Sequence, residues 1–233
     1  MKSFSTPTRS SLPTRSKKKI SIPSTKLNEI KSHFDSCVTE IRKRFLICDV
    51  LSSGTATDDE IAASEDILRF QLISIDSIFE FYMHRILVYG IRKMFNEEWE
   101  KTSQYNKITV KLPIVEAALL NPEDTKWIEE ISEEFRAKDT FMSAEMVKEA
   151  LKTIGIKFDE ISIALGYTSP TDLTEKLNQI YKRRTSIVHY ADIDTSTKVK
   201  NSIVRSFVED AINTIEKFCE QVFIVIEEKE KVS

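Results

Sequence analysis

Glycine and proline are scarce, with four and six residues in a chain of 233. Alongside abundant Leu, Ile, Glu and Lys, that scarcity predicts an all-α protein. Cysteine is rarer still. Cys37, Cys48 and Cys219 are odd in number and show no paired or CxxC spacing, so they read as reduced thiols in a cytosol-like, cytoplasmic setting. Three histidines at 33, 84 and 189 form no local Cys/His cluster, which argues against a zinc site. No apolar run approaches the roughly 18 residues of a membrane helix, and no signal-peptide core follows the basic start. The expectation is a soluble protein, and its 41% hydrophobic residues are enough to bury a full core.

Acidic residues are absent from positions 1–26, which carry seven Lys or Arg. The remaining chain holds 27 basic against 37 acidic residues, a net −10. So acidic a body repels the phosphate backbone in general, and an RNA partner has to be drawn by a local basic patch or by the tail. The tail, rich in Ser, Thr, Pro and Lys, offers too little apolar surface to offset the entropy of ordering and reads as disordered. A solvated tail explains its charge more simply than an RNA-contacting arm does.

From residue 27 onward a single helical domain is expected, with an insertion at about 97–168. Leu27, Ile30, Phe34, Cys37, Val38, Ile41, Phe45 and Cys48 step by three or four, predicting one helix over Leu27–Leu51. SSGTATDDE is a loop. A second helix over Ser64–Phe95 is so broadly apolar that it belongs in the centre of a bundle or at a dimer contact. In the insertion, Pro113 opens a short helix, Asn121–Asp124 forms a turn, and Thr125–Lys138 is helical. A further helix, Ser143–Ile154, ends at Gly155. Residues 108–112, ITVKL, alternate like a strand that has nothing to pair with. Trp99 and Trp127 read as packing anchors. Ser169, Pro170 and Asp172 give a strong helix start, and the final helix is expected over Lys198–Glu228.

The helix that starts at Ser169 carries its stripe Leu173, Leu177, Ile180 directly onto Arg184, in the stretch YKRRTSIVHYADID at 181–194. This arginine therefore points toward packed side chains and needs an anion to answer it. A guanidinium can fork onto phosphate oxygens, and the His189 imidazole can pass a proton to or from a ribose oxygen. RNA supplies its own 2′-hydroxyl nucleophile, so such groups can cleave it with neither metal nor cofactor. On spacing alone, two cations completing a helix C-terminus explain Arg184 and His189 better. A five-residue step also turns roughly 140° on an ideal helix, so the two share a face only if the helix distorts, the arginine reaches across, or a second chain completes the site.

RRTSIVHYAD resembles the R-x4-6-H signature of the HEPN superfamily of helical ribonucleases. Ser77-Ile78-Phe79-Glu80-Phe81-Tyr82-Met83-His84 is similar to the S-x-x-[DE]-x-Y-x-H helix that precedes it in the RiboL-PSP-type group. One departure is Thr185, where the family often has Asn or Asp. The resemblance implies a HEPN-type bundle with extra short helices in the middle. It also implies a metal-independent endoribonuclease that leaves 2′,3′-cyclic phosphate and 5′-hydroxyl ends. Arg184 and His189 would be catalytic, with Arg183 as a supporting phosphate contact and Thr185, Glu80 and His84 in supporting positions. Glu80 and His84 read equally well as an ordinary i,i+4 pair. Further implications are a homodimer with the site at its interface, a stress, toxin or anti-phage setting, and an antitoxin or defence-system partner. The alternative is a non-catalytic HEPN-like dimer that binds RNA or protein.

Overall fold

The computed structural model describes residues 25–120, 141 and 143–232, and all the regular structure among them is helical. Residues 1–24 of the basic tail, the Asn121–Asp124 turn, the Thr125–Lys138 helix and Trp127 lie outside the described residues. The first predicted helix is two, α1 (Thr25–Lys43) and α2 (Phe45–Leu51). They part at Arg44, where an i→i+3 bond from its N–H to the Ile41 carbonyl, 3.2 Å, tightens the turn. The stripe survives the break, and Val38, Ile41, Phe45 and Cys48 are all buried.

Helix α3 (Asp58–Phe95) is the axle of the fold, 38 residues long and about 57 Å end to end. It begins six residues before the predicted start. Thr57 and Glu60 form a reciprocal capping box ahead of an acidic first turn, and this exposed opening carries no apolar stripe that periodicity could detect. After a 3-10 turn at Tyr105–Lys107, α4 (Leu112–Leu120) forms as Pro113 predicts. Residues 108–111 are irregular rather than a strand, because no neighbouring edge receives them.

The later part of the expected insertion is no appendage. Helices α5 (Ala144–Thr153) and α6 (Phe158–Ala164) send Val147, Leu151 and Ile161, each fully buried, into the same core as α3. Gly155, at φ 75°, closes α5 with a Schellman turn, its own N–H bonding to the Lys152 carbonyl and that of Ile156 to Leu151. Where α3 passes this segment it carries Gly90. A Cβ there would lie 2.5 Å from Ile154 Cγ2 and 3.1 Å from the Trp99 ring.

Helix α7 (Pro170–Tyr190) packs on α3, α5 and α6, and α8 (Arg205–Val232) closes the bundle against α1, α3 and α6. The Tyr82 hydroxyl of α3 donates to the Cys219 carbonyl of α8 at 2.8 Å. The last helix starts seven residues later than predicted. Asp194 Oδ1 accepts the amide N–H groups of Ser196 (2.9 Å) and Thr197 (2.8 Å), a turn that competes with helix. Val199, inside the span expected to be helical, is exposed. Cys48 and Cys219 are buried, Cys37 is half-buried, and all three are free thiols. No described helix is long and apolar enough to cross a membrane.

Candidate functional site

Helix α7 is fixed at its start by Ser169, whose hydroxyl accepts the Thr171 N–H at 3.1 Å while Asp172 returns a bond to the Ser169 N–H at 3.0 Å. Leu173, Leu177, Ile180 and Tyr181 then bury one face. One turn on, the same face delivers Arg184 to α3, as the stripe requires. Its side chain is 17% exposed, and Nε sits 2.9 Å from Asp76 Oδ2, a carboxylate at 3% exposure. The approach is close but off the N–H axis, so Nε makes no aligned hydrogen bond. Asp76 Oδ1, Glu80 Oε1 and the Tyr181 hydroxyl also make none among the described residues.

Electrostatics follow from that packing. Burial, reinforced by the neighbouring Glu80, pushes the Asp76 carboxyl up to about 7, with the Arg184 charge only partly opposing. Glu80 is raised by burial as well, against the pull of Arg184. Tyr181 is held well above the usual phenol range by burial and by both carboxylates. The seam thus contains one cation, two acids that resist ionising together, and a phenol.

Arg183, one residue earlier, sits in the opposite circumstances. Its guanidinium forks onto Asp192, Nη1 to Oδ1 and Nη2 to Oδ2 each at 2.7 Å, and it donates to the Ser202 carbonyl at 2.9 Å. Arg69 Nε from α3 reaches the same Asp192 at 2.8 Å, and its Nη2 bonds the Asn201 carbonyl at 2.6 Å. Asp192 is fully buried, and Asn201 returns its own N–H to the Asp192 carbonyl at 2.8 Å. This clamp holds the crossover between α7 and α8. It also stabilises Ala191 and Asp192 at φ 51° and 58°, a left-handed pair that non-glycine residues adopt at a cost. Arg183 is therefore a strut of the loop, with its Nη1 and Nη2 groups engaged within the chain.

His189 is exposed in the last turn of α7. The helix runs unbroken to Tyr190, so helix distortion does not bring His189 round to Arg184. One faces α3 and the other faces solvent. The end of α7 and the crossover after it expose apolar side chains, Val188, Tyr190 at 64%, Ile193, Val199 at 65% and Val204. Thr185 is half-buried beside Arg184. His84 is buried with its ring 4.6 Å from that of Phe141, while Glu80 answers electrostatically to Asp76 and Arg184, so the two do not form the expected orienting pair.

Sequence reasoning gave Asp76 no role and did not single out Asp192. Asp76 stands one turn before Glu80 on α3, a spacing that was visible; that it would meet Arg184 depended on the α3–α7 crossing, which no local pattern encodes. Among the described residues, no three His, Cys, Asp or Glu side chains group so as to hold a metal ion. No known protein family, curated protein or solved structure matches the chain.

Proposed function

We propose that this chain is a HEPN-like, metal-independent endoribonuclease that acts as a homodimer, with Arg184 and His189 as its catalytic residues. The observation that carries the reading is the Arg184 seam. A partly buried guanidinium meets Asp76 off axis, among polar atoms left without hydrogen bonds. Buried polar groups in a purely structural position are ordinarily satisfied, and departures from that rule gather at functional sites. The RRTSIVHYAD resemblance gives the chemistry. The ribose 2′-hydroxyl attacks the adjacent phosphorus, the P–O2′ bond forms and the P–O5′ bond breaks. His189 takes the 2′ proton or supplies one to the departing 5′-oxygen, and Arg184 offsets charge on the non-bridging oxygens. The products are a 2′,3′-cyclic phosphate and a 5′-hydroxyl.

Two copies are part of the proposal. Since Arg184 and His189 face apart on a regular helix, a second chain docked on exposed apolar side chains at the end of this helix, such as Val188 and Tyr190, would bring the two motif helices together. A stress, toxin or defence role, with an antitoxin or similar partner, follows from the resemblance alone. A second reading, a non-catalytic RNA- or protein-binding dimer, draws on the charge pairing of Arg184 with Asp76 and on the acidic body.

The test is cleavage of total RNA by the purified chain in excess EDTA, beside Arg184→Ala and His189→Ala, with the dimer followed by sedimentation. Fragments with cyclic-phosphate ends, lost in both folded variants, support the nuclease. Intact RNA throughout, from a folded dimer, transfers the assignment to the binding module.

A further inference from the structure

A groove of about 350 Å³ lies between the first half of α1 and the last third of α3, lined by Lys26, Glu29, His33, Phe81 and Arg85 among others. Arg85 follows Asp76 by nine residues, about 13 Å along the helix axis, and is rotated from Glu80 by roughly 140°. The groove therefore belongs to a different side of α3 from the Arg184 seam. We propose that it is a nucleotide-binding site, taking the phosphate on Arg85 and Lys26 and the base against His33.

Three features point to that chemistry. The first is charge. The body of the protein is strongly acidic, yet here Lys26 and Arg85 converge from two helices, and among the described residues neither is spent on an ion pair. Surface cations elsewhere on the chain are mostly paired, as Lys31 is with Asp35 and Glu220, and Arg205 with Asp49 and Glu209. A guanidinium and an ammonium free to converge make a phosphate clamp.

The second is planarity. The Arg85 guanidinium lies 5.2 Å from the centre of the Phe81 ring, and the exposed His33 ring lies 5.0 Å from it on the α1 side. Arg85, Phe81 and His33 thus form a contiguous series, the His33 ring tilted 59° to that of Phe81, and it ends in an exposed imidazole whose free face a nucleobase can meet. The packing also holds Arg85 in place, so less side-chain entropy is lost when it meets an anion.

The third is Glu29 in the same wall. A carboxylate repels a bare anion and works against a site for inorganic phosphate alone. Beside a nucleotide it has two partners, the ribose hydroxyls and an exocyclic base amine. The volume lies within the range of small-ligand pockets.

The same nucleotide chemistry is available from a free mononucleotide and from a nucleic-acid strand, and a titration separates the two. The full chain is titrated by calorimetry with 5′-AMP, with a short DNA oligonucleotide, and with inorganic phosphate as the control. The expected result is that AMP binds more tightly than phosphate. Arg85→Glu should then weaken it at least about tenfold and His33→Ala by less, while His189→Ala leaves it unchanged. Because Arg85 and His33 are exposed, neither change should disturb the fold, which circular dichroism of each variant checks. Oligonucleotide binding without AMP binding, lost in Arg85→Glu, supports the site and names a strand as its occupant. Failure of both nucleotide probes at millimolar concentration overturns the proposal. So does binding that ignores Arg85→Glu, or phosphate binding as tight as AMP. None of these outcomes depends on RNA cleavage.

Discussion

Arg183 and Arg184 are neighbours on one helix and lead opposite lives. Arg183 is forked onto a fully buried aspartate that a second arginine also holds, and each guanidinium gives that carboxylate an aligned hydrogen bond, at 2.7 and 2.8 Å. Arg184 meets a buried aspartate too, yet off axis, beside a second acid and a phenol whose polar atoms lack partners. The difference teaches which arginine the fold needs. A satisfied buried network specifies and holds structure, whereas an under-satisfied one stores free energy that a ligand can recover.

The largest test of that contrast is Asp192→Ala, which leaves the buried Arg69 guanidinium and the half-buried Arg183 guanidinium without their shared counter-ion. A loss of about 3–5 kcal/mol is expected, read as a lower denaturant midpoint; a change near zero would erase the distinction between the two arginines. Arg184→Ala should invert the pattern. Under the proposed function, cleavage falls by roughly 10²–10³ while the melting temperature moves little, because the seam never gained aligned bonds from this side chain.

Titration probes the seam next. Burial holds Asp76 protonated up to about pH 7, far above the ordinary carboxyl range in the unfolded chain. The folded state therefore keeps a proton that the unfolded state has released, and the stability this confers is complete at pH below about 4 and is lost as pH rises through about 7. Glu80, raised in the same direction, adds to the slope, and the Arg184 charge moderates it. Asp76→Asn should flatten the fall in denaturant midpoint between about pH 4 and pH 7; an unchanged slope would mean that Asp76 is not the group responsible. The smallest effect belongs to the clamp side. Ala191→Gly relieves a left-handed alanine and should raise stability by up to about 1 kcal/mol, checked by the same midpoint.

What the sequence made legible was whatever repeats locally. The stripe through Leu173, Leu177 and Ile180 placed Arg184 on the packed side, the Ser169 cap fixed where that helix starts, and Gly155 marked where α5 stops. The late start of α8 was hidden because Val199 and Ile203 keep a helical spacing that the Asp194 turn overrides through hydrogen bonds. The early start of α3 was hidden for the converse reason, a capped and charged opening without a buried stripe. At the site, residue types announced Arg184 and His189. Asp76, which meets Arg184, and Asp192, which meets Arg183 and Arg69, announced nothing, since an aspartate's role was settled only by which arginine the tertiary packing brought to it.

Gly90 bears on how this fold can vary. The bare α-carbon on α3 and the Ile154 side chain beyond α5 share one volume that holds a single side chain, so the two positions, more than sixty residues apart in the chain, are free to change only in concert. Enlarging residue 90 demands a smaller residue 154, and the reverse exchange opens room in α3. A lineage that kept this architecture would record that bargain as paired substitutions, tying the middle segment to the central helix through inheritance as firmly as through packing.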